Sequence, residues 1–100
     1  MVALEEAVME IIVNAGQSRS LCFEALRAAR AGNFEEAQNL LREADGFSRQ
    51  AHQMQTKLIE QDAGEARQPM TLIMVHAQDH LMTSLLAREL SEEIIQLYQR

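Results

Sequence analysis

A chain of 100 residues makes one small domain, and so short a chain buries a modest fraction of its surface alone, so association with copies of itself would add stability. Hydrophobic residues make up 47% of it and aromatics only 4%; Ala, Leu, Glu, Gln, Arg and Met dominate, and these strong helix formers point to an all-α domain. A formal net charge of -6 excludes a nucleic-acid or anionic-lipid binder, the lone Cys22 excludes an internal disulfide, and no apolar run approaches the roughly 18 residues of a membrane span. With no basic-then-apolar signal pattern at the N-terminus, the expectation is a cytoplasmic protein in a reducing compartment.

The first element is announced by Val8, Ile11, Ala15, Ser18, Cys22, Ala25 and Ala29, which advance by threes and fours and so share one helix face. Gly32 stands where a left-handed C-cap would end that helix, and Asn33 followed by Glu36 reads as a capping box opening the next. Ala37, Leu40, Ala44, Phe47, Ala51, Met54 and Leu58 form the second seam. Small residues dominate both seams, so these two helices can approach closely. The polar run from Glu60 through Gly64 to Pro69, the only proline, reads as a turn or loop, with Pro69 acceptable in the first turn of a third helix.

That third helix carries Leu72, Val75, Met82, Leu86, Leu90, Ile94 and Leu97 near one face, with Met74, Leu81 and Leu85 on its flank. The predicted helices span about 2–31, 34–62 and 69–98, and short connections make them an antiparallel up-down-up three-helix bundle forming one domain. Helix three is apolar on more than one side, which implies packing both within its own bundle and against other subunits.

The chemistry concentrates on helix three. Asp79 lies seven positions after Leu72 and seven before Leu86, on their apolar stripe, where an isolated carboxylate is costly to bury. It sits near a bundle end or bonds a neighbouring side chain, or else several copies meet on a symmetry axis and share protons or a hard cation such as magnesium. His76 and His80, four apart, share a helix face. Such a pair suits zinc ligation, acid-base chemistry or covalent nucleophilic catalysis. The zinc-hydrolase motif needs a Glu where Ala77 stands, and the remaining candidate ligands are His52 and Cys22. Spacing alone leaves two ordinary histidines on a solvated face. His52 reads as a partly exposed helix residue, Cys22 as a small core residue, and Gly16 as either a close-packing or a tolerated glycine. Met54 and Met82 fall on seam positions, while Met70, Met74 and Met82 could form an adaptable docking surface.

The run Leu72-Ile73-Met74-Val75-His76-Ala77-Gln78-Asp79-His80-Leu81-Met82-Thr83-Ser84 closely resembles the signature of the lactose/cellobiose-type enzyme IIA family of the bacterial sugar phosphotransferase system. The resemblance continues in Ile12 to Ser20, in Gln55 to Glu65 and in Leu86 to Leu90, and leans toward the cellobiose/diacetylchitobiose branch. Family members often carry a polar leader, whereas here the first helix begins near Val2.

The resemblance implies a three-helix bundle that assembles as a homotrimer. It implies that His76 accepts a phosphoryl group from the histidine-containing phosphocarrier HPr and passes it to a cysteine of the sugar-specific IIB component. It implies that Asp79 lines the trimer axis, where three copies can hold a divalent cation, magnesium being the expected ion. Of the neighbours, His80 is the better donor to the phosphoryl oxygens, because Gln78, two residues from His76, faces away on an ideal helix. The competing reading is a non-catalytic oligomeric helical module with a metal at its symmetry axis.

Overall fold

A computed structural model describes residues 3–100, and it contains α1 (Leu4–Arg30), α2 (Phe34–Ala63) and α3 (Leu72–Tyr98), with no strand among the described residues. The helices run up, down and up in a rod with Cα extents of 51 × 18 × 18 Å, so α1 and α3 are parallel. The expected start of α1 at Val2 lies outside the described residues.

The α1–α2 turn is short because of one glycine. Gly32 has φ +86, the left-handed conformation, and the amides of Gly32 and Asn33 return to the carbonyls of Ala29 and Ala28. These paired bonds satisfy carbonyls that a helix end leaves free. They also overturn the capping box: Asn33 takes the N-cap position but its side chain makes no cap bond, and its own N–H goes to Ala28 rather than to the Glu36 side chain. The third helix likewise begins later than expected. Pro69 stays in the connection, and Thr71 is the N-cap, its hydroxyl accepting from the Met74 amide at 3.3 Å.

All seven seam residues of α1 are buried. On α2 the buried row is Ala37, Leu41, Ala44, Ser48, Ala51 and Leu58, so the expected Leu40, Phe47 and Met54 are half-buried flanks. The slip at 40/41 and 47/48 arises because small Ser48 can enter the seam, where larger Phe47 would force the helices apart. Eight of the buried core residues are alanines, which lets the helix axes approach while Ile11, Leu41, Leu81 and Ile95 fill the layers between them. Each of those four contributes about 1.5–3 kcal/mol of burial.

Helix α3 departs most from expectation. Its bundle-facing row is Met74, Ala77, Leu81, Ser84, Ser91 and Ile95. The stripe of Leu72, Val75, Met82, Leu86, Leu90, Ile94 and Leu97 is exposed instead, Leu72 at 86% and Leu97 at 60%. The flank packs, and the main stripe does not. Both rows advance by threes and fours, so periodicity alone could not rank them.

The α2–α3 seam is narrower than the others and largely polar. Gln55 donates to Gln78 at 2.7 Å, Gln38 donates to Glu92 at 3.1 Å, and Arg88 grips Asp45 through two bonds of 2.7 and 3.1 Å. Every buried side-chain N or O among the described residues has a partner. The tightest of these, between the hydroxyls of Ser18 and Ser48 at 2.6 Å, crosses the α1–α2 seam. Ser18→Ala is expected to destabilise the fold by about 1–2 kcal/mol, because it strands the other hydroxyl, whereas Ser18→Ala with Ser48→Ala should recover most of the loss. Urea unfolding of the two variants measures this; equal losses would mean the bond contributes nothing specific.

Candidate functional site

The early turns of α3 place His76 and His80 one above the other. Their Nε2 atoms lie 3.1 Å apart, with ring centroids 4.5 Å apart and planes at 85°. At that separation one imidazole can donate an Nε2–H to the lone pair of the other, the direction being set by the tautomers. His76 is exposed and His80 half-buried. The arrangement leaves one reachable ring with a second, better held ring beside it, which can donate a hydrogen bond.

The neighbours separate cleanly. Gln78 turns away from the histidines, as the helix geometry requires, and its carbonyl accepts from Gln55 while its amide lies 3.5 Å from the Met74 sulfur. Asp79 points out with the exposed stripe, beside His76 in sequence but on the apolar face. It makes no ion pair among the described residues, and no cluster of three or more metal-ligating side chains occurs among them within one chain. A single chain therefore supplies one oxygen ligand group here and no complete metal site.

The remaining candidates fall away from this pair. His52 lies on the outer face of α2 in a shallow depression with Arg49, Gln53, Thr56, Lys57 and Glu60. Cys22 is fully buried; burial pushes its thiol pKa up, and nearby Arg88 and a Ser91 hydrogen bond only partly offset that. Met74 is core, leaving Met70 and Met82 exposed. A recess of about 220 Å³ between α2 and α3 is lined by Leu58, Ile59, Met70 and Met74 and includes neither His76 nor His80.

Two features escaped sequence reading. Arg88 continues the bundle-facing row of α3, and a charged residue on a seam requires an acid partner, which Asp45 supplies; the Asp45 hydrogen bond raises its pKa further. The second is a patch on the outer face of α1, where Met9 and Val13 are 52% and 61% exposed. Their spacing of four was the available signal.

The molecule is a small helical rod that carries an imidazole pair beside an uncovered apolar stripe. Residues 6–99 match the family described as PTS system, Lactose/Cellobiose specific IIA subunit. The chain is 50% identical to the N,N'-diacetylchitobiose-specific EIIA component of Escherichia coli K12, over 97% of this chain and 84% of that protein. The cellobiose-specific enzyme IIA of Bacillus anthracis superposes with a TM-score of 0.94 at 35% identity, covering 99% of this chain and 91% of that one. The chitobiose IIA of Escherichia coli, solved in complex with HPr, superposes at 0.85 with 48% identity, covering 99% and 96%. The chain belongs to the lactose/cellobiose-specific IIA family of the phosphotransferase system, whose members are phosphotransfer proteins.

The buried thiol generates a prediction. Thiolate is the species that reacts, and a raised pKa moves the onset of labelling to higher pH. Cys22 in the folded protein is expected to resist iodoacetamide near pH 8 and to label readily in urea, as read by intact mass; rapid labelling of the folded chain would contradict its burial.

Proposed function

We propose that this chain is a cytoplasmic phosphoryl carrier of a cellobiose/chitobiose- or lactose-type uptake system, with His76 as the covalent carrier. The observation that carries this reading is the His76–His80 pair, one exposed ring backed by another at 3.1 Å, within a chain of the IIA family. HPr is the donor, in keeping with the HPr complex of the Escherichia coli relative, and a IIB cysteine is the acceptor.

The chemistry requires positioning more than bond activation. A neutral nitrogen of His76 attacks the phosphorus of the donor phosphohistidine in line. The new P–N bond forms from the lone pair of His76, and the old P–N bond returns its electron pair to the donor imidazole. Because like bonds are broken and made, the step is close to balanced and readily reversed. His80, whose Nε2 now faces His76, turns its N–H to a phosphoryl oxygen once the group arrives. In the next step the P–N bond breaks and a P–S bond forms on the acceptor thiolate.

The exposed α3 stripe supports a homotrimer in which three copies of this face meet on an axis. The half-uncovered side chains would contribute about 1 kcal/mol each on burial. Asp79 fits a shared cation on that axis, because an unpaired carboxylate carried into an apolar interface by three copies needs a hard divalent ion such as magnesium, or shared protons. Such an ion would offset two of the three negative charges and hold the subunits together.

Incubation with phosphoenolpyruvate, enzyme I and HPr is expected to add one phosphate-sized mass. His76→Ala should abolish the gain and His52→Ala should keep it; no gain in the wild type with active donors rejects the carrier. In sedimentation, Asp79→Leu is expected to stay trimeric and lose any dependence on added magnesium. A monomeric wild type refutes the axis.

A further inference from the structure

A neutral imidazole has one lone pair, which can serve a proton, a phosphorus atom or a metal ion, but only one at a time. Two imidazoles four residues apart on a helix present two such lone pairs on the same side. In this chain the Nε2 atoms of His76 and His80 lie 3.1 Å apart. Zinc and its neighbours among the transition ions hold imidazole nitrogen at about 2.0–2.1 Å. Two nitrogens 3.1 Å apart then subtend about 95–102° at a shared ion. That angle falls between the right angle of square-planar copper or nickel and the wider angle of tetrahedral zinc. A small ring rotation reaches either, because the terminal torsion of histidine has a broad minimum.

The rest of the molecule directs such an ion to this pair. His52 has no second imidazole or thiolate in its depression, which instead holds Arg49 and Lys57 beside Glu60. Cys22 is fully buried. Asp79 offers oxygen, which suits a hard ion, whereas copper, nickel and zinc favour imidazole nitrogen. The exposed ring of His76 leaves the other coordination positions open to water. A net charge of -6 draws cations toward the chain.

We infer that His76 and His80 form a two-nitrogen chelate for a divalent copper, nickel or zinc ion, and that the bound ion switches off phosphoryl acceptance. The ion takes both Nε2 lone pairs, so each neutral ring carries its proton on Nδ1. No nitrogen of His76 then has a lone pair left to attack phosphorus. His80 loses, in the same event, the Nε2–H that it would turn to a phosphoryl oxygen. Metal binding and phosphoryl acceptance exclude each other because they need the same atoms, and no conformational change is required. Magnesium, which keeps to oxygen and water, leaves the pair free. The blocking half of this inference rests on the carrier reading above; the chelate rests on the geometry alone.

The probe is nickel chloride, titrated by calorimetry into the full chain with magnesium present throughout. One nickel per chain is expected. Loss of an outer-shell partner already costs about 10–100-fold in metal affinity, so His80→Ala, which removes a ligand, is expected to weaken binding at least about tenfold. His52→Ala and Asp79→Leu should bind nickel as the wild type does. Transfer is then read from purified phospho-HPr as the gain in mass of the chain. Nickel at about ten times its wild-type Kd is expected to slow the wild type about tenfold and His80→Ala no more than about twofold, with EDTA restoring the rate. Each chain is compared with itself, with and without nickel, so the basal loss from removing the His80 donor cancels. Equal slowing of both chains places the ion on the donor protein and overturns the inference. So does nickel affinity that survives His80→Ala, or that disappears in Asp79→Leu and so belongs to the axis. Bound nickel that leaves the transfer rate unchanged overturns the switch. A wild type that binds nickel as expected yet accepts no phosphate in its absence refutes the carrier reading instead, while the chelate stands.

Discussion

A helix has only one circumference, and α3 must divide it between two apolar rows. One row, through Ala77, Leu81 and Ile95, is sealed into the bundle. The other, through Leu72, Leu86 and Leu97, faces outward. What remains between them is two narrow strips. On one strip Gln78 bridges to α2, while Arg88 does so from the sealed row itself; on the other strip stand His76 and His80. The site's location is thus a residue of packing: the histidines occupy ground that neither apolar row can use, which keeps His76 reachable while its backbone is held by a buried helix.

The same division explains why α2 and α3 are joined by polar groups. The apolar capacity of α3 is spent on α1 and on the outward stripe, so its α2 side relies on Gln55–Gln78, Gln38–Glu92 and Arg88–Asp45. A partly buried, bidentate Arg–carboxylate pair is directional, and it sets the rotation of α3 about its axis. Rotation matters here because the two rows lie on roughly opposite sides of α3, and turning it by even one position, about 100°, would carry the sealed row out of the bundle.

Much of this was legible from residue order. The α1 seam, the glycine cap and the three helix lengths follow from local rules that neighbours do not override. Asp79 on an apolar stripe and Gln78 facing away from His76 were also readable, because both are matters of position on one helix. The misreadings share a cause. Leu40/Leu41 and Phe47/Ser48 are adjacent alternatives whose ranking depends on the facing helix. The α3 rows are equally periodic, and periodicity cannot tell an own-chain neighbour from another molecule. The Glu36 half of the capping box failed because Asn33 had a single N–H and the preceding turn had already taken it.

The tight turn at Gly32 has a consequence for the order of assembly. It joins α1 and α2 through residues 31–33, whereas α3 is tethered by residues 64–71. Closing a short connection between long helices with a satisfied end requires little loop entropy, and contacts near in sequence form early. The α1–α2 hairpin is therefore expected to be the first cooperative unit, with α3 docking last through its polar bridges. Native-state hydrogen exchange would then show α3 amides opening below the free energy of the hairpin. On that view the helix bearing the histidines is the last to commit, and group-transfer competence comes into being only with the final step of folding.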